Sequence, residues 1–343
     1  MRWTVLLGTA LLLVTVTGCV RLGRSGQPEA PVSMHQLRTP EGGLFGAAWL
    51  RDGWIYFGRS PAVRSETSRV ETWRVRASGG EPERVWLPGL AGCRVTEYMR
   101  ADTLPDGRLG LARFCEPPAL SERTRIHAGA FDPRTGRYEP LAMLRDVNPS
   151  KVTWRPGLRS GYVSHTSGIC AGLAPLTRHG ARRFPAPVTL DGRTWRLEDH
   201  FFLPADEDCS GRGRADLPVL APDSNRLYFL ASPESMGVSG FARLDEPWNL
   251  YRWSPPGGSP EALLNGLYDP LGMAISPDGR SLALGAKRGG GFGLWLVSTS
   301  DGSANHLASG EFGDPSFSPD GHHLVALLIK DPDHADMYVL DLP

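Results

Sequence analysis

Bond-making chemistry would need converging His, Cys, Asp or Glu side chains, and here these types are scattered. The nine histidines are His35, His127, His165, His179, His200, His306, His322, His323 and His334. None falls in a His-x-x-x-His or His-Glu-x-x-His spacing, so no zinc site is readable. No Gly-x-Ser-x-Gly elbow exists, and Met236-Gly237-Val238-Ser239-Gly240 misses that spacing. Asp206-Glu207-Asp208 and the run from Asp331 to Asp336 carry enough carboxylate for Ca²⁺. Neither has the spacing of a calcium loop, and both read as solvated loops. Gly289-Gly290-Gly291 could cradle a phosphate, but no helix or Gly-Lys-Ser follows, so a hairpin loop is the reading. The residues thus predict no catalytic group, no metal and no cofactor. Cys93, Cys115, Cys170 and Cys209 form an even set, which exported proteins use as disulfides. Four cysteines allow three pairings. Proximity favours Cys93–Cys115, whose members flank a hairpin turning at Pro105-Asp106-Gly107, and Cys170–Cys209. Buried free thiols are the alternative.

The elements that must position any site are announced by a repeat. Ile275-Ser276-Pro277-Asp278-Gly279-Arg280 returns as Phe317-Ser318-Pro319-Asp320-Gly321-His322. Pro presets the second turn position, Asp suits the bridge region and Gly takes the left-handed position. Apolar residues on both sides suit strands, so each copy reads as a hairpin. Weaker copies are Arg51-Asp52-Gly53, Pro105-Asp106-Gly107, Arg155-Pro156-Gly157 and Pro222-Asp223-Ser224, which makes six turns. A hairpin period near 40 residues predicts a propeller. The last repeat runs out of chain before a fourth strand, while residues 35–39 look like a strand without a sheet. The expectation is an all-β, six-bladed β-propeller over 35–343, closed by that N-terminal strand completing the last blade.

Net charge is zero and the pI is about 7.1. Nucleic acid and anionic surfaces need a basic field, so neither is expected as the main partner. A monomer is expected. The N-terminus is different in kind: Met1-Arg2, an apolar run over 3–16, then Val16-Thr17-Gly18-Cys19. This resembles a bacterial lipoprotein signal peptide with its lipobox. The resemblance implies a signal peptide over 1–18, lipidation of Cys19, and a flexible tether over 19–34. It also implies export and anchoring to the extracytoplasmic face of a membrane.

The Ser-Pro-Asp-Gly turn followed by Leu294-Trp295-Leu296-Val297 or Met337-Tyr338-Val339-Leu340-Asp341 resembles the repeats of TolB-like propellers. Those are similar to the WD-like repeats in the propeller of prolyl oligopeptidases. The resemblance implies a fold more strongly than a function. The function it suggests is a non-catalytic binding or scaffold module of the envelope, with a protein or small ligand at the propeller mouth. The loops 60–68, 116–124, 164–171, 232–247 and 287–292 would surround that ligand. The alternative is a propeller enzyme, such as a polysaccharide lyase, with its site in the central channel.

Overall fold

The computed structural model describes residues 32–60, 70–93, 95–116, 125–145, 149–167, 170–202, 213–222, 225–232, 247–331 and 333–343. Cys19 and its signal segment, Cys209, Asp223 and most of the loops at 60–68, 116–124 and 232–247 lie outside them. All described residues belong to one compact unit, Val32–Pro343.

That unit is all-β. After β1 (Met34–Leu37), the first meander is β2 (Gly43–Trp49), β3 (Trp54–Ser60), β4 (Glu71–Arg76) and β5 (Glu83–Val85). The second is β6 (Val95–Thr103), β7 (Leu109–Glu116), β8 (Arg125–Asp132) and β9 (Arg137–Arg145). The third is β10 (Pro149–Trp154), β11 (Ser160–Ser167), β12 (Cys170–Thr177) and β13 (Gly180–Ala181). A ribbon of β14 (Val188–Leu190) and β15 (Arg193–Trp195) follows, then a 3-10 turn over Asp199–Phe201. Next comes a seven-stranded sheet: β16 (Arg214–Leu220), β17 (Leu227–Ser232), β18 (Trp248–Ser254), β19 (Gly257–Ile275), β20 (Ser281–Arg288), β21 (Gly291–Ser298) and β22 (Ala304–Ser309). The last strands, β23 (Phe312–Phe317), β24 (His323–Asp331) and β25 (His334–Asp341), share a sheet with β1. Four sheets are thus four-stranded antiparallel blades of a propeller-like arrangement.

The long strand β19 spans 19 residues and serves two partners in succession. It pairs with β18 as far as Leu267 and with β20 from Tyr268 onward. Between neighbouring sheets lie the apolar layers. Leu44, Ile55, Phe57 and Val75 of the first blade meet Leu37, Val325, Leu327 and Val339 of the last. Strands of neighbouring sheets approach closely: a side chain added at Gly285 on β20 would stand 1.7 Å from the Phe312 carbonyl oxygen on β23.

Among the described residues, the first strand does close the last sheet. Register runs Met34↔Leu340, His35↔Val339, Gln36↔Tyr338 and Leu37↔Met337. The strand starts one residue earlier than 35, so Met34 is strand rather than tether, and it stops before Arg38. Leu37 is the last inward side chain, and Arg38 turns out to an ion pair with Glu81. The stretch 188–215, read from sequence as a plain connection, contains the β14–β15 hairpin. Asp191-Gly192 makes its turn, with φ of 49° and 76°, the left-handed pair that a two-residue hairpin loop requires.

Candidate ligand-binding site

Six strands, β2, β6, β10, β16, β19 and β23, lead into the Pro-Asp-Gly-type turns, and residues at their ends line one cavity of ≈ 300 Å³. The repeat explains why these ends are rigid. Asp52, Asp106, Asp278 and Asp320 each accept the backbone amide two residues on, from Trp54 at 3.1 Å, Arg108 at 3.1 Å, Arg280 at 3.0 Å and His322 at 3.0 Å. Ser276 and Ser318 donate their hydroxyls to Asp278 and Asp320 at 2.6 and 2.5 Å. Those hydroxyl bonds are the main reason both carboxyls titrate below the usual range. Gly53, Gly107, Gly279 and Gly321 take φ between 73° and 83°, as the turn demands. The repeated aspartates are therefore engaged within their own turns and stiffen them from outside the cavity, and of the turn glycines only Gly107 lines it.

Below it lies a second cavity of ≈ 30 Å³. Asp102, Leu104, Lys151, Val152 and Trp154 line both spaces, so they form the partition. Within that partition Lys151 Nζ lies 2.9 Å from Asp102 Oδ2, joining β10 to β6. Lys151 is 15% and Asp102 33% exposed, so the pair is only partly hydrated. Further polar ties link successive inner strands. Gly46 N–H donates to Asp314 Oδ2 at 2.7 Å, and Trp49 N–H to Ser316 Oγ at 3.1 Å. Thr103 Oγ1 donates to the Trp49 carbonyl at 3.2 Å, and Ser150 Oγ to Asp216 Oδ1 at 2.5 Å. The ties run from β23 through β2, β6 and β10 to β16.

The same strands carry backbone strain. Leu217, Asp269 and Asp314 have φ of 52°, 45° and 44°, and each precedes a proline. A side-chain-bearing residue in that region costs about 1–3 kcal/mol and persists where its surroundings over-determine it. The bulges that interrupt pairing at 216/219, 268/272 and 313/316 sit at these residues.

Sequence-predicted residues outside the cavity fall into two groups. Cys93 and Cys115 are joined, with Cα atoms 5.3 Å apart, at the ends of the β6–β7 hairpin. His127 brings a ring nitrogen within 4.8 Å of both sulfurs, but sulfurs bonded to each other are not thiolate ligands. Burial, then Arg125 and Arg113, holds the His127 imidazole below its ordinary range. Arg113 itself is 3% exposed and lies 4.7 Å over the Tyr138 ring, with Nε and Nη1 lacking hydrogen-bond partners. Cys170 begins β12, and its proposed partner Cys209 lies outside the described residues. His165 sits on β11 with its ring 5.8 Å from Phe201, and it lines neither cavity. Sequence reasoning missed Asp102 and Lys151. Their signal was distance from the turn: five and six residues ahead of the turn glycines Gly107 and Gly157.

No family model and no curated protein matches this chain. Solved structures do. TolB from Acinetobacter baumannii superposes with a TM-score of 0.51 at 17% identity, over 84% of this chain and 64% of that one. The chain therefore spans just under two thirds of that protein's length. XC5397 from Xanthomonas campestris, described as a gluconolactonase, gives 0.51 at 14% identity, over 91% and 90%. A puromycin-hydrolyzing peptidase of Mycobacterium tuberculosis gives 0.52 at 13% identity, over 91% and 55%. At these identities the likeness is one of fold, and the fold is a TolB-like propeller. It also corrects one expectation. Proteins described as enzymes share this fold, so a propeller of this kind is no ground for excluding catalysis, and the non-catalytic reading of the sequence does not stand.

Proposed function

We propose that the protein is an exported, lipid-anchored, six-bladed propeller that binds a ligand at the turn-side mouth of its channel. The six turns and the two-partner strand β19 support six blades, with the seven-stranded sheet counted as two. The Val16-Thr17-Gly18-Cys19 run supports processing and lipidation at Cys19. The observation that carries the binding reading is the ≈ 300 Å³ cavity on which six strand ends converge. Ligand sites are concave, mostly apolar and supplied with a few polar groups, and this mouth combines Trp49, Val152, Ile275 and Phe317 with the Asp102–Lys151 pair.

A second reading is that the ligand is also turned over. Asp102 and Lys151 place an acid and an amine 2.9 Å apart in the cavity wall, which are groups fit for proton transfer. Photo-cross-linking in intact cells tests the binding reading. A photoreactive side chain at Thr153 or Phe317 should give an adduct, and one at Glu83 on the outer strand should not. Adducts at Glu83 alone would overturn the mouth as the binding site. Cys19→Ala should shift the protein out of the membrane fraction or leave it unprocessed. Normal processing and membrane binding in that variant would overturn the anchor.

A further inference from the structure

We infer that the mouth selects a small ligand with an apolar body and one anionic end, and that Arg51 reads the anion. This deepens the reading of the mouth as a binding site and rests on it. Four turns place a proline where the first places Arg51: Pro105, Pro222, Pro277 and Pro319, all on the cavity. Proline has no N–H, so these rim positions offer a ligand no donor. Arg155 holds the same place in the third turn, but its guanidinium is bonded to Tyr162 at 2.9 Å and to Asn225. Arg51 lines the cavity, and among the described residues neither its amide nor its guanidinium has a hydrogen-bond or ion-pair partner. Its stem lies along the second turn, where a side chain added at Gly107 would stand 3.6 Å from Arg51 Cδ.

Charge gives the sign of the ligand. Among the described residues lining the cavity, the full charges are Arg51, Asp102 and Lys151. Lys151 and Asp102 neutralise one another across 2.9 Å, which leaves one uncompensated positive group. An anion entering an apolar space loses its water and must regain donors from the protein. A guanidinium at the rim supplies a charge-assisted, two-pronged match to a carboxylate. At ≈ 300 Å³ the cavity is at the small end of ligand pockets, which suits a single ring or a short chain.

Calorimetric titration of the full chain with benzoate, benzamide and benzylamine tests this, because the three share a ring and differ in charge. Benzoate should bind at least tenfold more tightly than benzamide, and benzylamine should not bind. Arg51→Ala should weaken benzoate at least tenfold with an unchanged melting temperature, and Arg51→Lys should restore part of it. Equal binding of benzamide, preferential binding of benzylamine, unchanged benzoate binding in Arg51→Ala, or no benzoate binding would each overturn the inference. Val152→Trp, which fills the mouth, separates the two readings. If benzamide or benzylamine binding disappears in that variant, the mouth stands and only the anion preference falls. If no probe binds and the mouth cross-linkers stay unlabelled, both fall.

Discussion

Single side chains here are decided by whether their polar atoms find partners. Glu198 is 1% exposed and neither carboxylate oxygen accepts a hydrogen bond from another residue. Arg196 Nη1 stands 3.7 Å from Oε1. Burial holds this carboxyl above its ordinary range and the charge of Asp199 adds to the effect, while its own backbone amide, then Arg196 and Arg183, oppose it. The unfolded chain releases this proton near the ordinary value of 4.5, whereas the folded chain keeps it to higher pH. The group's contribution to stability is therefore intact below that value and is lost as pH rises through the folded pKa. Glu198→Gln removes the titration. Denaturant midpoints of the native protein should fall relative to this variant between pH 4 and pH 8, and parallel curves would contradict the account. Asp320 has the opposite sign. Its carboxyl is lowered chiefly by the Ser318 hydroxyl and then by the His322 amide. Its contribution is present above the ordinary 3.8 and is lost as pH falls through the folded value. Asp320→Ala should cost about 1 kcal/mol at neutral pH, with the difference shrinking in acid.

At the scale of elements, β1 and the β6–β7 hairpin make the sharpest claims. Leu37 is 2% exposed and packs with Met337, Val339 and Phe57. Leu37→Ala should destabilise by about 2–4 kcal/mol in denaturant titration. Removing β1 entirely should leave the β25 edge unpaired and promote aggregation. A protein beginning at Pro40 with native stability would refute that role. The Cys93–Cys115 link spans a separation of 22 residues, for which chain entropy gives about 3 kcal/mol. Free thiols at both positions in a non-reduced digest would remove it. These elements were legible because their chemistry is local: Ser-Pro-Asp-Gly writes a turn, and an orphan strand at one end matches a missing strand at the other. The β14–β15 hairpin was equally local, yet Asp191-Gly192 lay inside a stretch without a repeat and was read as a connection.

For the whole molecule, the ties between inner strands matter more than any one sheet. Asp314 holds the amide of Gly46 from 268 residues away, and Asp102 meets Lys151 across two blades. No local motif encodes such contacts, so the candidate site was the least legible part of the sequence. The turns placed its rim, but which side chains face one another depends on how the inner strands bulge. Asp314→Ala loses the bond to Gly46 and leaves alanine in a left-handed conformation. It should cost roughly 2 kcal/mol or more. Because β1 pairs with β25, the loss should appear everywhere at once. Circular dichroism and tryptophan fluorescence should lose signal at one shared midpoint. Separate midpoints would show that the sheets unfold independently.

The pairing of β1 with β25 also sets an order of events during synthesis. Of the described strands, the first to emerge pairs with the last, about 300 residues later. At ordinary elongation rates of about 5–20 residues per second, that is a wait of roughly 15–60 seconds. Throughout that interval Met34–Leu37 lacks the strand it pairs with in the native structure. A chain cut short before β25 would therefore leave Met34–Leu37 without its partner strand and the last sheet unclosed.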